Sequence, residues 1–184
     1  MFGQYIRYNH GNIIQRLAQI GVDFDTQEAE HGYTPLMLAL VLGHEWVAME
    51  LVSSGAKVAL PVRNGRTPLF VAAEKGLTEM VRFMVRSYES PIVHPITGVA
   101  MKVINSPVVF PTNLRLLHVA AFHNQAQVVS LLIDMDADLN VLEDESGYTP
   151  LAMAIIGDNA SAALDLIAAG ANPRIPSKAG RTAM

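Results

Sequence analysis

The acidic stretch at 134–145 is where side-chain type and spacing come closest to a chemical site. Read from its first aspartate, it resembles a twelve-residue calcium loop, whose ligands include positions 1, 3, 5, 7 and 12. Those positions hold Asp134, Asp136, Asp138, Asn140 and Glu145. Position 6, which needs glycine for a sharp turn, is Leu139. Calcium binding is one hypothesis for this stretch, and a solvated acidic hairpin is the alternative.

The other residues that commonly do chemistry form no recognisable site. The six histidines show none of the spacings of a zinc site. No serine or lysine lies in a nucleophile motif, and glycine-rich phosphate loops are absent from the sequence. The sequence therefore predicts no catalytic residue, no metal and no cofactor, so the chain is not expected to be an enzyme.

A repeated sequence pattern predicts the secondary-structure elements on which these residues lie. GYTPLMLAL at Gly32 recurs as GRTPLFVAA at Gly65 and GYTPLAMAI at Gly147, with a degenerate NLRLLHVAA at Asn113 and a new start, GRTAM, at Gly180. Successive threonine positions are 33, 48, 34 and 33 residues apart, measured over Thr34, Thr67, Arg115, Thr149 and Thr182. The 48-residue step is one period plus fifteen inserted residues. A 33-residue period held in phase is typical of a repeat array.

A second motif keeps the same phase in the other half of each repeat. It reads LAQIGVD, LVSSGAK, LIDMDAD and LIAAGAN, and begins at Leu17, Leu51, Leu132 and Leu166. In the first half, Thr34 is a predicted N-cap and Pro35 fits the first helical position. The helix that follows is too short and too apolar to be stable alone, so neighbouring repeats must cover it.

With these motifs, G-x-T-P-L and L-x-x-x-G-A-D in one phase, the sequence resembles the ankyrin repeat family. The resemblance implies an all-α solenoid of stacked helix–turn–helix units joined by β-hairpin loops, in a single domain over 1–184. We expect a partial repeat at 1–29, and repeats at 30–63, 64–111, 112–145 and 146–178. The repeat at 64–111 carries an insertion at about 89–111, and 179–184 begins a further unit.

Several glycines and their substitutes fall where this fold needs a left-handed backbone. Gly21, Gly55 and Gly170 follow second helices, and Gly43 and Gly76 lie between paired helices. At equivalent positions the chain has Asn124, Asp136 and Asp158. Asn and Asp tolerate this conformation better than most residues, so the same turns are predicted there.

The repeat phase also bears on the acidic stretch and on two polar residues. A helix end and a twelve-residue cation loop cannot occupy the same backbone, so the phase favours the hairpin over calcium at 134–138. His118 stands at a position where the family uses histidine to hydrogen-bond between repeats. Asn140 matches a hairpin asparagine that is hydroxylated in some ankyrin proteins, which implies a modification and not an activity.

The repeat at 112–145 departs furthest from the pattern. Arg115 and Leu116 replace Thr-Pro, so its first helix lacks the usual cap, and Thr112 or Asn113 is the alternative. The preceding insertion contains four prolines, which disfavour a helix. Thr97-Gly98 offers a turn between PIVH and VAMKVI, so we expect an elongated hairpin, with an irregular loop as the alternative. Whether it binds a partner or is inert remains open.

Composition limits the function classes. The formal net charge is −4 without a dense Lys/Arg cluster, which argues against a nucleic-acid partner. No apolar run reaches the length of a membrane span, and the N-terminus lacks a signal-peptide pattern. The chain has no cysteine, which is consistent with a reducing compartment, so the cytoplasm is the expected location.

The resemblance implies a module that binds another protein through its concave surface, made of hairpin tips and first-helix ends. A monomer is favoured over an oligomer. On this surface we predict a partner-binding set that is rich in apolar, aromatic and basic side chains: Tyr33, Val41, Leu42, Arg66, Glu74, Lys75, Phe122, His123, Tyr148 and Ile156. The alternative is a regulatory or targeting arm of a larger enzyme, because an array normally closes with a polar capping repeat and GRTAM supplies none.

Overall fold

Pairs of short helices follow one another along the chain, as the repeat pattern predicts. The computed structural model describes residues 13–87, 92–93, 100–101, 103–105, 107–109 and 114–183. After a helical segment at 13–19 (α1), the first helices of the repeats are α2 (Pro35–Val41), α4 (Pro68–Glu74), α6 (Leu116–Phe122) and α8 (Pro150–Ile156). The second helices are α3 (Glu45–Ser53), α5 (Thr78–Ser87), α7 (Ala126–Asp134) and α9 (Ala160–Ala168).

Threonine begins three of the four first helices. The hydroxyl oxygens of Thr34, Thr67 and Thr149 each accept the backbone N–H three residues later at 3.2 Å, and proline follows each of them. The threonine satisfies a donor that the first turn cannot, and the proline has no N–H to leave unpaired. The predicted cap at Thr34 is confirmed.

The repeats stack so that one core runs along the whole array. Each first helix contacts the first helix of the next repeat, and each second helix does the same from α3 to α9. The leucine after each N1 position is fully or almost fully buried between these layers: Leu36, Leu69, Leu117 and Leu151. Helices of seven to ten residues are marginal alone, so their stability comes from the neighbouring repeats.

The predicted left-handed turns are confirmed at every position. The glycines have φ between 69° and 96°, at Gly21, Gly43, Gly55, Gly76 and Gly170. The three substitutes adopt the same conformation, with φ of 58° at Asn124, 60° at Asp136 and 56° at Asp158. A side chain in this region carries a steric cost that glycine avoids.

Replacing Asn124 by glycine is therefore expected to raise the free energy of unfolding by about 0.5 kcal/mol. Asn124 is exposed, so little packing is lost. The matched control is Gln127→Gly at the exposed second residue of α7, where the poor helix propensity of glycine should lower the free energy of unfolding, by at most about 1 kcal/mol. Urea denaturation of both variants checks the pair, and destabilisation by Asn124→Gly would contradict the steric argument.

The helix α6 lacks a threonine at its N-cap, and a histidine in its first turn bonds to the N–H of the N-cap residue. Arg115 holds the N-cap position with φ −99° and ψ 162°, within the range of the threonine caps. Its N–H is accepted by Nδ1 of His118 at 3.2 Å. Nε2 therefore carries the ring proton, and it lies 3.1 Å from the carbonyl oxygens of both Val141 and Tyr148. The predicted bond between repeats is confirmed, whereas Thr112 and Asn113, the alternative caps, lie outside the described residues.

The insertion contains the expected strand pairing. β1 (Ile92–Val93) pairs antiparallel with β2 (Ala100–Met101), in the two segments predicted to form a hairpin. The turn residues Thr97 and Gly98 lie outside the described residues. A 3-10 helix (Val103–Asn105) and β3 (Pro107–Val109) follow, and β3 pairs with β4 (Leu114–Arg115).

Asn105, near the end of the insertion, makes a hydrogen bond that also occurs in the regular hairpins. Its Oδ1 accepts the N–H of Asp138 at 3.1 Å. Asp25 and Asn140 make the same bond, accepting the N–H of Lys57 and Asn172 at 2.8 Å, each 32 residues ahead. Because Asn105 takes the place of those side chains, we infer that the extra residues lie mainly before Val103.

Candidate protein-binding surface

A cavity on the first-helix side of the array collects half of the predicted binding residues. It has a volume of about 230 Å³ and lies between the repeats that carry α2 and α4. Hairpin residues form one wall and the two first helices form the other. We call this the first-helix cavity; it is lined by Tyr33, Met37, Val41, Val62, Asn64, Arg66, Val71, Glu74 and Lys75.

Glu74 is the centre of the polar contacts at this cavity. Its Oε2 lies 3.3 Å from Nη1 of Arg66, and its Oε1 lies 3.7 Å from Nε2 of His123 in the next repeat. The guanidinium carbon of Arg66 sits 4.4 Å from the ring centroid of Phe70, which is a cation–π geometry. Glu74 thus holds Arg66 and His123 side by side across two repeats.

Aromatic rings extend the surface beyond the cavity. The ring of Phe122 meets the ring of His123 edge-on with centroids 5.2 Å apart, and Phe122 is 44% exposed. At the first hairpin, the rings of His31 and Tyr33 are stacked 5.2 Å apart. The Phe122–His123 contact, together with the Glu74–His123 pair, places Phe122 and His123 next to the cavity residues.

Five of the predicted residues do not line the cavity, and three of those five also lie outside the neighbouring Phe122–His123 contact. Leu42 and Ile156 are 59% and 53% exposed at the ends of their first helices. Tyr148 is half-buried, and its backbone N–H and carbonyl are both used inside the hairpin. All ten residues lie at hairpins or first-helix ends, but the structure joins seven of them into one patch through the cavity and the Glu74–His123 pair.

The C-terminal carbonyls of the first helices are satisfied by side chains from the next repeat. Nζ of Lys75 donates to Val41 O at 2.8 Å, and Nε2 of Gln125 donates to Glu74 O at 3.0 Å. Nδ2 of the buried Asn159 donates to Phe122 O at 2.8 Å. These bonds fix the helix ends that shape the surface. Gln125 and Asn159 were not among the predicted residues, although they stand at equivalent places just before second helices.

Two glutamates shape the hairpins beside Tyr33 and Tyr148. The carboxylate of Glu28 accepts the backbone N–H groups of Glu30, His31 and Tyr33 at 2.6 to 3.0 Å. These bonds, led by the one from Tyr33, lower the pKa of Glu28 to about 2.

Glu143 makes the same three bonds, to the backbone N–H groups of Glu145, Ser146 and Tyr148, at 2.7 to 3.0 Å. Burial raises its pKa, but the backbone donors outweigh burial and the net direction is downward. Both glutamates were missed, although each stands six residues before the capping threonine of a GYTPL motif. That shared register is the signal that identifies them.

The backbone of the acidic stretch at 134–145 forms a helix end, a turn and a hairpin, and not a calcium loop. Asp134 ends α7, and Asp136 has the left-handed φ of the following turn. The Asp138 side chain accepts the N–H of Asn140, whose own Oδ1 bonds to the next repeat. No group of three or more His, Asp or Glu side chains that could hold a metal occurs in the part of the chain that the structure describes.

Comparisons with known proteins agree with this architecture. A family model for ankyrin repeats (three copies) matches residues 3–95 and 89–177. The crystal structure of the ankyrin repeat domain of Bcl-3 superposes with a TM-score of 0.74 at 23% identity, covering 97% of this chain and 74% of that one. At this identity the likeness concerns the fold alone.

The chain is similar to parts of longer curated proteins. NF-kappa-B inhibitor alpha of Homo sapiens is 31% identical over 110 residues, which are 60% of this chain and 32% of that protein. The protein named "Putative palmitoyltransferase ZDHHC13" of Danio rerio is 28% identical over 150 residues, which are 81% of this chain and 21% of that protein. The chain therefore spans about a third and a fifth of these relatives.

The helices and the family match together define the kind of protein that this chain is. Within the described ranges, none of the helices combines the length and apolar character needed to cross a bilayer. The family model covers nearly the whole sequence, and the helix pairs, caps and left-handed turns match it repeat by repeat. The chain therefore belongs to the ankyrin repeat family, whose members act as protein–protein interaction modules.

Proposed function

We propose that this array binds a partner protein on the surface formed by its hairpins and first-helix ends. The observation that carries the proposal is the patch around the first-helix cavity, where Tyr33, Val41 and Arg66 meet Glu74 and Lys75. Such a patch combines a concave apolar floor with the aromatic and arginine side chains that commonly anchor interfaces.

Exposure at the ends of the first helices supports the same surface. Leu42, Phe122 and Ile156 are each about half exposed, at positions that face solvent in the free chain. Apolar side chains that recur along one face favour an interaction site over a purely solvated surface. The proposal takes the chain as a monomer in the cytoplasm that binds protein and not nucleic acid. The net charge of −4 disfavours a nucleic-acid partner, and the lack of cysteine is consistent with a reducing compartment.

A second candidate function is the regulatory or targeting arm of a larger enzyme. It is favoured by one observation, the similarity to a protein named as a palmitoyltransferase, of which this chain spans only 21%. An immunoblot of native lysate distinguishes the two. A band far above 19.9 kDa that carries a catalytic domain would reassign the surface to regulation or recruitment within that protein.

The binding surface is tested with charge substitutions on immobilised protein. Leu42→Asp and Phe122→Asp should each weaken partner binding by at least about tenfold, because they place a charge in a desolvated contact. Lysate proteins retained by the wild type are compared by quantitative mass spectrometry, and affinities for the purified partner are then measured by calorimetry.

The matched control is Gln127→Asp on α7, an exposed second-helix position away from the cavity. It should leave both binding and the melting temperature nearly unchanged. If Gln127→Asp abolishes binding while both first-helix substitutions leave it intact, the partner uses the second-helix face and the proposal fails.

A further inference from the structure

We propose that the partner presents an acidic peptide segment to this surface. In this arrangement an apolar side chain enters the first-helix cavity, and a neighbouring Asp or Glu pairs with Lys75. The inference rests on the protein-binding function proposed above and adds the chemistry of the occupant to it.

The charges are arranged unevenly along the surface. The hairpin at the boundary between the repeats 30–63 and 64–111 carries Arg63 and Arg66, and Lys75 follows at the end of α4, in a chain whose net charge is −4. Acidic residues occur in the preceding hairpin, at Glu28 and Glu30, and in the later hairpin at 143–145, whereas Arg115 lies in the strand pair between. The cavity itself is lined by two cations, Arg66 and Lys75, and by the single carboxylate of Glu74, so its edge has a net positive charge.

The cavity's own carboxylate does not neutralise both cations. Glu74 is engaged by Arg66 at 3.3 Å and by His123 at 3.7 Å. Lys75 is exposed, and its ammonium donates one hydrogen bond to Val41 O at 2.8 Å. An ammonium has three donors, and among the described residues Lys75 forms no ion pair with a carboxylate. Two donors and a full charge thus remain for a ligand at the cavity edge.

The floor of the cavity suits an apolar side chain. Met37, Val41, Val62 and Val71 line it together with the ring of Tyr33. Burial of an aliphatic or aromatic side chain there supplies affinity, whereas the charge at the edge supplies selectivity. A basic segment would place a cation beside Arg66 and Lys75, and this like-charge contact disfavours it.

The experiment selects peptides from a random phage-displayed library on the immobilised full chain, on Lys75→Glu and on Arg86→Glu. Arg86 makes a matched control, because it lies in the last turn of the other helix of the same repeat and undergoes the same change of charge. We expect peptides selected on the wild type and on Arg86→Glu to contain Asp or Glu beside an apolar residue, about fivefold above the naive library. On Lys75→Glu this preference should disappear or reverse toward Lys and Arg.

The outcomes separate this inference from the broader function. If selected peptides compete with one another and lose binding to Phe122→Asp, but carry no acidic preference, the surface binds protein and the acidic occupant is wrong. If the acidic preference persists unchanged on Lys75→Glu, Lys75 does not recognise it and the inference is also overturned. If no peptide depends on Leu42 or Phe122, the proposed surface itself fails. Equal melting temperatures of the two charge variants establish that the comparison is between folded proteins.

Discussion

Replacement of His118 by leucine is expected to lower the free energy of unfolding by about 3 kcal/mol at pH 7. The imidazole is fully buried and serves three backbone groups: the N–H of Arg115 and the carbonyls of Val141 and Tyr148. Leucine fills a similar volume but satisfies none of them, and each buried group left without a partner is costly. Chemical denaturation at neutral pH measures the loss.

The pH dependence of stability gives an independent test of the same residue. Burial lowers the pKa of His118 from its ordinary value to about 4, against the opposing pull of the Tyr148 and Val141 carbonyls. Between about pH 6.5 and pH 4 the unfolded chain therefore binds a proton that the folded chain does not. The stability contributed by the neutral His118 is therefore fully present above pH 6.5. It is lost as the pH falls toward 4, by about 3 kcal/mol in total.

The control for both measurements is His44→Leu. His44 is exposed and makes no side-chain cap bond at the start of α3, so this change should cost less than about 0.5 kcal/mol. It should also leave the pH profile unaltered, whereas His118→Leu should flatten it between pH 6.5 and 4. Identical profiles for wild type and His118→Leu would show that the buried imidazole does not set the acid sensitivity.

Glu143→Gln is expected to destabilise the array by about 2 kcal/mol. The substitution removes the negative charge from three N–H···O bonds that are each 2.7 to 3.0 Å long. It also turns an amide NH₂ toward donors, so at least one backbone N–H loses its acceptor. Because Glu143 is buried, water cannot replace that acceptor.

Glu28→Gln is the matched comparison, since Glu28 makes the same three bonds in the first full repeat. Glu28 is exposed, so water compensates there and the loss should be clearly smaller. Both carboxyls have lowered pKa values, so their stabilisation is present above the ordinary Glu range and is lost as the pH falls below it. Urea titrations of the two variants at pH 7 check the ranking, and equal losses would refute the role of burial.

Much of the fold could be predicted because the same sequence motif recurs at equivalent positions in several repeats. Thr34-Pro35 reports a helix start by itself, and its recurrence at a 33-residue period fixes which helices must lie side by side. The left-handed turns at Asn124 and Asp158 could be predicted without glycine, because the phase and the residue type agreed. The pairing of β1 with β2 followed from a turn signal between two apolar segments.

The rest depends on contacts that cross repeats without leaving a local signal. His118 stands three residues after Arg115, a spacing at which a side chain can bond to the N-cap N–H, but the bonds of its ring to Val141 and Tyr148 depend on the following hairpin. The sequence predicts the concave surface on which the cavity lies, but not the cavity itself. Which residues share it depends on how far α2 stands from α4, and on Glu74 reaching His123. Tyr148 stays a predicted binding residue, and its backbone N–H and carbonyl are used inside the hairpin.

Asn105 has a consequence for how the array melts. In a solenoid each unit is stable chiefly through its neighbours, so a broken junction divides the array into two blocks that unfold separately. Asn105 supplies, across the lengthened junction, the side-chain bond that Asp25 and Asn140 supply at regular ones. Together with the packing of α4 on α6 and of α5 on α7, this bond links the two blocks, so we expect the protein to unfold in one cooperative transition. We also expect changes of length before Val103 to leave that single transition intact.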